Sequence, residues 1–338
     1  MQTFAAIDLH SNNGVLTIID ETDRVLKQRR IANKLEEFIK ELEPFRATLQ
    51  GVAVESTFNW YWLVDGLQAK KFPVTLVNTS AIQQYEGLKR SDDEYDAWWL
   101  AHMMRLGILP KGYIYPRENR AVRDLLRKRA TLVRQRTANI LSVQNLEARN
   151  RGTKISSNEA KRLTGTRVAE LYGEGDLALA LTTTIAVIDS LTEQTRLIES
   201  AVLKKARLRP EWELVTSIWG IGKILGLTIM YEAGEMSRFS SPGDFASYCR
   251  CVNAQRFSNG KKKGENNAKN GNRYLAWAFV EAAHFAVRFY PEAKRFHDRK
   301  AAKTNGTVAI KALAHKLARA AFHVMRDQQP FDPKRVFV

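Results

Sequence analysis

The hydrophobic pattern of this chain changes period once, near Pro116, and that change constrains what it can fold into. Before it, short apolar runs alternate with amphipathic stretches. Thr3-Phe4-Ala5-Ala6-Ile7 is one such run, ending in Asp8, and Gly14-Val15-Leu16-Thr17-Ile18-Ile19 reads as its partner across the turn residues Ser11-Asn12-Asn13. A basic strand follows from Arg24 to Ile31, Asn33 caps a helix through Leu42, and Gly51-Val52-Ala53-Val54 is a buried strand ending at Glu55. A helix over Asn59 to Lys70 and a strand over Phe72 to Val77 complete the alternation. A hairpin followed by strand and helix in turn predicts an α/β layer on a mixed sheet, here assigned to residues 1–112.

After Pro116 the pattern is continuously helical through Asn150, with apolar residues at heptad spacing: Leu126, Val133 and Ile140 in one register, Leu125, Leu132 and Leu146 in another. A second long helix over Leu177 to Lys204 repeats this with Leu181, Ile188 and Val202, and with Leu191 and Ile198. Joined through the segment from Gly152 to Gly165, the two predict a helical hairpin or coiled coil spanning 113–206. The basic residues Arg127, Lys128, Arg129, Arg134 and Arg136 suit either a solvated spacer and dimerisation arm or a nucleic-acid rail.

The remainder, 207–338, is mainly α. Trp212 to Gly234 reads as helix, tight turn and helix, a helix-hairpin-helix-like segment with Gly220-Ile221-Gly222 at the turn. Asn253 to Arg273 is polar, basic and glycine-rich, and such a segment has too little apolar surface to bury itself. Tyr274 to Phe289 and Val308 to Met325 restore helical periodicity. A formal charge of +17 makes a polyanion the leading expectation for a partner, because each neutralised phosphate releases counterions. No stretch approaches the roughly 20 apolar residues of a membrane span. Met1 to Leu9 carries no signal pattern, so a cytoplasmic protein without a membrane partner is expected. Cys249 and Cys251 are too close for a comfortable disulfide and too few for a zinc site, and read as reduced thiols.

Three groups of residues could carry chemistry. Asp8 and Glu55 end apolar strands, where a charge is costly unless it faces a cation. Asp93 and Asp96 lie three apart, on one face if Ser91 to Ala97 opens a helix. Four such acids at one sheet edge suit a hard cation such as magnesium, and a pair of ions can clamp a phosphoryl transfer. The alternative is helix capping by an acidic first turn. Gly220 and Gly222, followed by Lys223, would let a backbone approach a phosphate, although glycine-ended helices are common. Ser258, flanked by Arg256 and by Lys261, Lys262 and Lys263, would meet a phosphodiester readily; the competing reading is a flexible basic loop with an incidental serine. His10 lies close enough to Asp8 to line its pocket, while the six histidines show no pairing at metal-ligand spacing. Trp60, Trp62, Trp98 and Trp99 read as core.

Taken in order, these segments resemble the DEDD transposases of the IS110 insertion-sequence family, also called bridge-RNA-guided or seeker-RNA-guided recombinases. Ala6-Ile7-Asp8-Leu9-His10 is similar to the family's opening motif, Val54-Glu55-Ser56-Thr57 to its glutamate motif, and Asp93-Glu94-Tyr95-Asp96-Ala97 to its paired-aspartate motif. Ser217 to Gly222, with Gly234, Arg238-Phe239 and Phe245 to Tyr248, resembles the start of its C-terminal domain, and Asn270 to Leu275 its closing signature.

The resemblance implies an RNase-H-like, RuvC-type domain bearing Asp8, Glu55, Asp93 and Asp96 around Mg2+ or Mn2+, a coiled-coil arm, and a transposase domain whose Ser258 forms a transient phosphoserine link to DNA. It implies donor and target DNA, a noncoding guide RNA, and a homo-oligomer, a dimer assembling to a tetramer. Two readings of other kinds stay open: a RuvC-like junction nuclease that uses water, and a non-catalytic basic scaffold for RNA or DNA.

Overall fold

The computed structural model describes residues 1–82, 92–206, 209–252, 256–264 and 270–337. The chain packs as two units, Met1–Ile114 and Tyr115–Val338. The domain boundary expected at residue 207 lies outside the described residues.

In the first unit, β1 (Thr3–Leu9), β2 (Asn13–Asp20) and β3 (Val25–Ala32) form an antiparallel meander. After it come α1 (Leu35–Leu42), β4 (Leu49–Glu55), α2 (Tyr61–Ala69), β5 (Val74–Val77) and α3 (Asp93–Arg105). The sheet order is β3-β2-β1-β4-β5, with β4 parallel to β1 and β5 parallel to β4, which is the mixed sheet expected from the sequence. Strands β1 and β2 are buried along almost their whole length because helices cover both faces. Ala5, Ile7, Leu16, Ile18 and Val54 pack with Phe38 and Leu42 of α1 and Leu63 and Leu67 of α2. On the other face, Phe4, Ala6, Ile19 and Ala53 pack with Leu100, Ala101 and Met103 of α3. Successive side chains alternate across a strand, so Asp8 falls in step with Ala6 and Glu55 with Ala53, both on the α3 face. Their strands are already in register at the Ile7–Val54 pair.

Helix α3 is tied down at both ends. Its N-cap Asp92 accepts a hydrogen bond from the Tyr95 amide at 2.8 Å, and Gln28 of β3 donates to the Glu94 carbonyl at 2.8 Å. At the far end, Asp23 in the β2–β3 turn accepts from Arg105 Nε at 2.6 Å, Arg105 Nη2 at 2.5 Å and His102 Nδ1 at 2.8 Å. Asp23 has a φ of 67°, a left-handed conformation that Asp and Asn tolerate best among residues with a side chain.

In the second unit, α4 (Arg117–Arg151) and α7 (Asp176–Ala206) pack antiparallel. Val122 and Leu126 meet Val202 and Ala206 at one end; Ile140 and Val143 meet Leu181, Ile185 and Ile188 at the other. Arg129 donates to Glu199 at 2.6 Å between them. The short helices α5 (Ser157–Ala160) and α6 (Gly165–Tyr172) close the far end through Ala160 and Val168. Then come α8 (Pro210–Thr216), α9 (Lys223–Ala233), α10 (Pro242–Tyr248), β6 (Arg256–Ser258), β7 (Lys261–Gly264), α11 (Arg273–Phe289), α12 (Pro291–Lys303), α13 (Gly306–Asp327) and α14 (Lys334–Phe337). Helix α9 is buried on every side from Leu225 to Ala233, and with α10, α11 and α13 it builds the largest core.

In the basic segment after Asn253, β6 and β7 pair as a hairpin, Ser258 opposite Lys261, through the two-residue turn Asn259-Gly260, rather than the flexible loop of the competing reading. Both turn residues have positive φ, 50° and 69°, the twist that matches paired strands. Backbone pairing forms this hairpin, and Ser258 to Gly264 are exposed.

The anchoring of α3 yields a prediction. Burial works against charge on Asp23, but the bonds from Arg105 and His102 outweigh it and hold the carboxyl below its ordinary value. The stabilisation is therefore complete above the unfolded-chain value of about 3.9 and is lost as the pH falls through the lowered folded value. Asp23→Asn keeps the turn conformation and removes the charge; it should lower stability at pH 7 by about 1–2 kcal/mol in urea titration, and the difference from wild type should vanish at acid pH.

Candidate active site and nucleic-acid interface

The first unit brings three of the four candidate acids around one cavity. Asp8 at the end of β1, Glu55 at the end of β4 and Asp96 in the first turn of α3 line a space of about 300 Å³, together with Thr79, Trp99 and Leu100. Asp8 is only 4% exposed. Burial, the hydrogen bond and charge of Asp8, and the charge of Asp96 push the Glu55 carboxyl up to about 8. Crowding of this kind disfavours ionisation of all three acids at once.

Asp93 stands one turn back on the same helix. Arg30 of β3 donates to its Oδ2 at 2.6 Å, and that bond holds Asp93 below its ordinary value against the cost of burial. His10 Nε2 lies 3.2 Å from Asp93 Oδ2 and 3.3 Å from Asp8 Oδ2. That nitrogen is buried and makes no aligned hydrogen bond, so it faces two carboxylate oxygens with its bonding capacity unused. One ligand atom each from Asp8, His10 and Asp93 falls within 4.8 Å of the others, a spacing that could hold a metal ion. The residues present therefore fit a divalent cation on two counts: the concentrated carboxylates around Glu55, and the unused His10 nitrogen between two acids.

The loop bearing His10 is itself held. Its carbonyl accepts from Asn33 at 3.0 Å and Asn59 at 2.9 Å, and Thr57 donates to Asn59 at 2.9 Å. Sequence reasoning placed His10 near the pocket without a ligand role and gave Asn33 the cap of α1; instead Lys34 stands at that N-cap without a side-chain bond, and Asn33 and Asn59 hold the His10 carbonyl across 23 and 49 positions of chain. Of the tryptophans read as core, Trp60 is buried, whereas Trp99 is half-buried and lines the acidic cavity.

In the second unit, Ser258 is exposed beside the hairpin turn, and Lys261, Lys262 and Lys263 are exposed on the partner strand. Arg256 opens β6. Lys128 and Arg134 are exposed on α4. Arg127 is differently engaged: half-buried, its Nε and Nη2 donate to the two oxygens of the buried Glu232 at 2.6 and 2.7 Å. Gly220 is also explained by packing. Its φ is 81°, and a Cβ there would lie 2.0 Å from the Ala282 carbonyl oxygen of α11, while Gly220, Gly222 and Lys223 line an open cavity. Gly222 caps α9 with open space around it, and Lys223 beside it is exposed. Burial pushes the Cys251 thiol up to about 12, and Cys249 is raised as well, so both remain neutral thiols. Among the described residues, no helix is long and apolar enough to cross a membrane.

Comparison with known families gives two matches. A model of IS110 DEDD transposases, described as Transposase, matches residues 5–146, which include Asp8, Glu55, Asp93 and Asp96. A second, described as Transposase IS116/IS110/IS902 family, matches residues 212–298, which include the α8–α9 turn and Ser258. No curated protein matches the chain.

Two outcomes follow from this geometry. Asp8→Asn relieves crowding in the acidic cavity, so without divalent ions its melting temperature should equal or exceed that of wild type; millimolar Mn2+ should then raise wild type by several degrees and leave the variant unmoved in a thermal shift assay. Gly220→Ala combines a forbidden φ with a backbone collision and should cost about 3 kcal/mol or more, seen as a large drop in the melting temperature.

Proposed function

The chain belongs to the IS110 family of transposases, enzymes acting on DNA, and on that premise we propose that it exchanges DNA strands through a covalent link to Ser258. The observation that carries this reading is the presence in one chain of a buried carboxylate cavity around Asp8, Glu55 and Asp96 and of an exposed serine in a lysine-lined hairpin. The first unit is read as RNase-H-like and RuvC-type, for which the strand order β3-β2-β1-β4-β5 and its parallel second half speak. The antiparallel α4–α7 pair is read as the coiled-coil arm, within the expected division 1–112, 113–206 and 207–338.

In the proposed reaction, Ser258 Oγ attacks a phosphorus of the DNA backbone. A P–O bond to serine forms and the P–O bond to the leaving deoxyribose oxygen breaks. The serine proton passes to a base, and the leaving oxygen takes up a proton. Attack by a hydroxyl of a second strand then forms the new phosphodiester and returns the serine. Asp8, Glu55, Asp93 and Asp96, with His10, would hold Mg2+ or Mn2+, which supplies charge stabilisation at the phosphoryl oxygens. Lys261, Lys262, Lys263 and Arg256 would hold the strand near Ser258, and Lys223, Lys128 and Arg134 would contact phosphates elsewhere. Exposed lysines supply flexible positive charge that draws the phosphate backbone to the hairpin. Donor and target choice by a guide RNA, and a dimer assembling to a tetramer, are the partners this reading takes from the family resemblance.

Ser258→Ala should abolish both strand exchange and the protein–DNA adduct retained on a denaturing gel, while Asp8→Ala and Glu55→Ala should abolish exchange. Cleavage that persists in Ser258→Ala, with no adduct in wild type, would establish the water-using nuclease instead. RNA that co-purifies with the native protein and maps beside its gene would identify the guide.

A further inference from the structure

The chain on either side of the serine-bearing segment is joined at Tyr248 and Asn272, with Cys249 in the core beside this junction and Cys251 packed against it. The Asn272 amide donates to the Tyr248 carbonyl at 2.6 Å, and Arg250 Nε and Nη2 donate to the Gly271 carbonyl at 3.1 and 2.9 Å. Gly271 has a φ of 92°, and a Cβ there would lie 2.5 Å from the Tyr248 carbonyl, so the closure is tight. Asn272 then turns inward. Its Oδ1 caps α11 by accepting from the Tyr274 and Leu275 amides at 2.8 and 3.2 Å, and its Nδ2 donates to Glu232 Oε2 at 2.7 Å. Glu232 is 2% exposed, a carboxylate in an otherwise almost wholly apolar buried helix, and its two oxygens receive Arg127 from α4. Arg127 in turn lies over the Tyr274 ring at 4.9 Å.

A buried ion pair of this kind adds little stability compared with apolar side chains of the same volume, but it admits one arrangement of its partners and penalises others. The three partners here are the long arm helix, the core helix α9 and the base of the segment that carries Ser258. We propose that Glu232, with Arg127 and Asn272, is a positioning residue for the serine: it locks the base of the Ser258 segment in register with α4, so that movement of the arm and placement of the hydroxyl are coupled. This rests on the reading of Ser258 as nucleophile. Without the network, the hairpin would be presented over a wider range of angles, and attack on a fixed phosphate would slow even with DNA fully bound.

The test uses the full chain with a DNA substrate and follows the rate of covalent adduct formation, its dependence on DNA concentration and the melting temperature. The variants are Glu232→Gln, the apolar pair Arg127→Met with Glu232→Leu, and Ser258→Ala. The apolar pair should stay folded with a melting temperature lowered by a few degrees, because packing of similar size replaces the charges while the Asn272 amide group loses its acceptor. At saturating DNA its adduct rate should fall at least tenfold, with the half-saturating DNA concentration unchanged, and Glu232→Gln should show the same split. An adduct rate within twofold of wild type in the folded apolar pair would overturn the coupling while leaving the serine reading intact. An adduct that survives in Ser258→Ala would instead overturn the serine reading and remove the object that the network positions.

Discussion

The structure of the first unit depends on the repulsion among carboxylates that the sheet forces together. β1 and β4 are parallel neighbours, and each ends in an acid on the face covered by α3, where Asp96 adds a third. Burial and the neighbouring acids already push one of these groups, Glu55, far from its ordinary ionisation. Such an arrangement persists only because the surrounding packing is extensive and α3 is fastened at both ends, by Gln28 and Asp92 near its start and by Asp23 near its finish. Crowded, partly buried acids of this kind cost stability, the pattern expected of a functional site.

Much of this was legible in the chain. Unbroken apolar runs at 4–7 and 51–54 mark strands covered on both faces, and the position of Asp8 and Glu55 at their ends follows from counting. Period-two parity then puts both acids on one side of the sheet. What could not be read was which helix lies on that side, because residues 83–91 separate β5 from α3 and nothing local specifies the return. Nor could the split of the paired aspartates be read: three positions apart on one helix, Asp96 lines the cavity whereas Asp93 turns to Arg30 and His10.

In the second unit composition tells burial but not local structure. The segment around Ser258 is polar and its described part from Ser258 to Gly264 is exposed, while Asn259-Gly260 is a strong short hairpin signal and accounts for the pairing of β6 with β7. The reading of Arg127 as a surface cation had a similar cause. Its position in a basic run suggested solvent, while its partner Glu232 lies 105 positions away in a helix whose apolar character hides one acid. Gly220 also has a packing requirement that no local signal shows, because the backbone it approaches is 62 positions on, at Ala282. Long-range pairing, rather than local propensity, accounts for each of these differences.

The two-residue turn beside Ser258 also limits how this region can drift over evolutionary time. In a paired strand each side chain's face is set by whether its position is odd or even, so inserting a single residue into β6 would send the hydroxyl to the opposite side of the ribbon. Two residues would restore the face but advance it along the strand by roughly 7 Å. The hairpin therefore tolerates exchange of its lysines far better than any change in its length, and indels here should be rarer than in the equally exposed connection from Gly152 to Ser156.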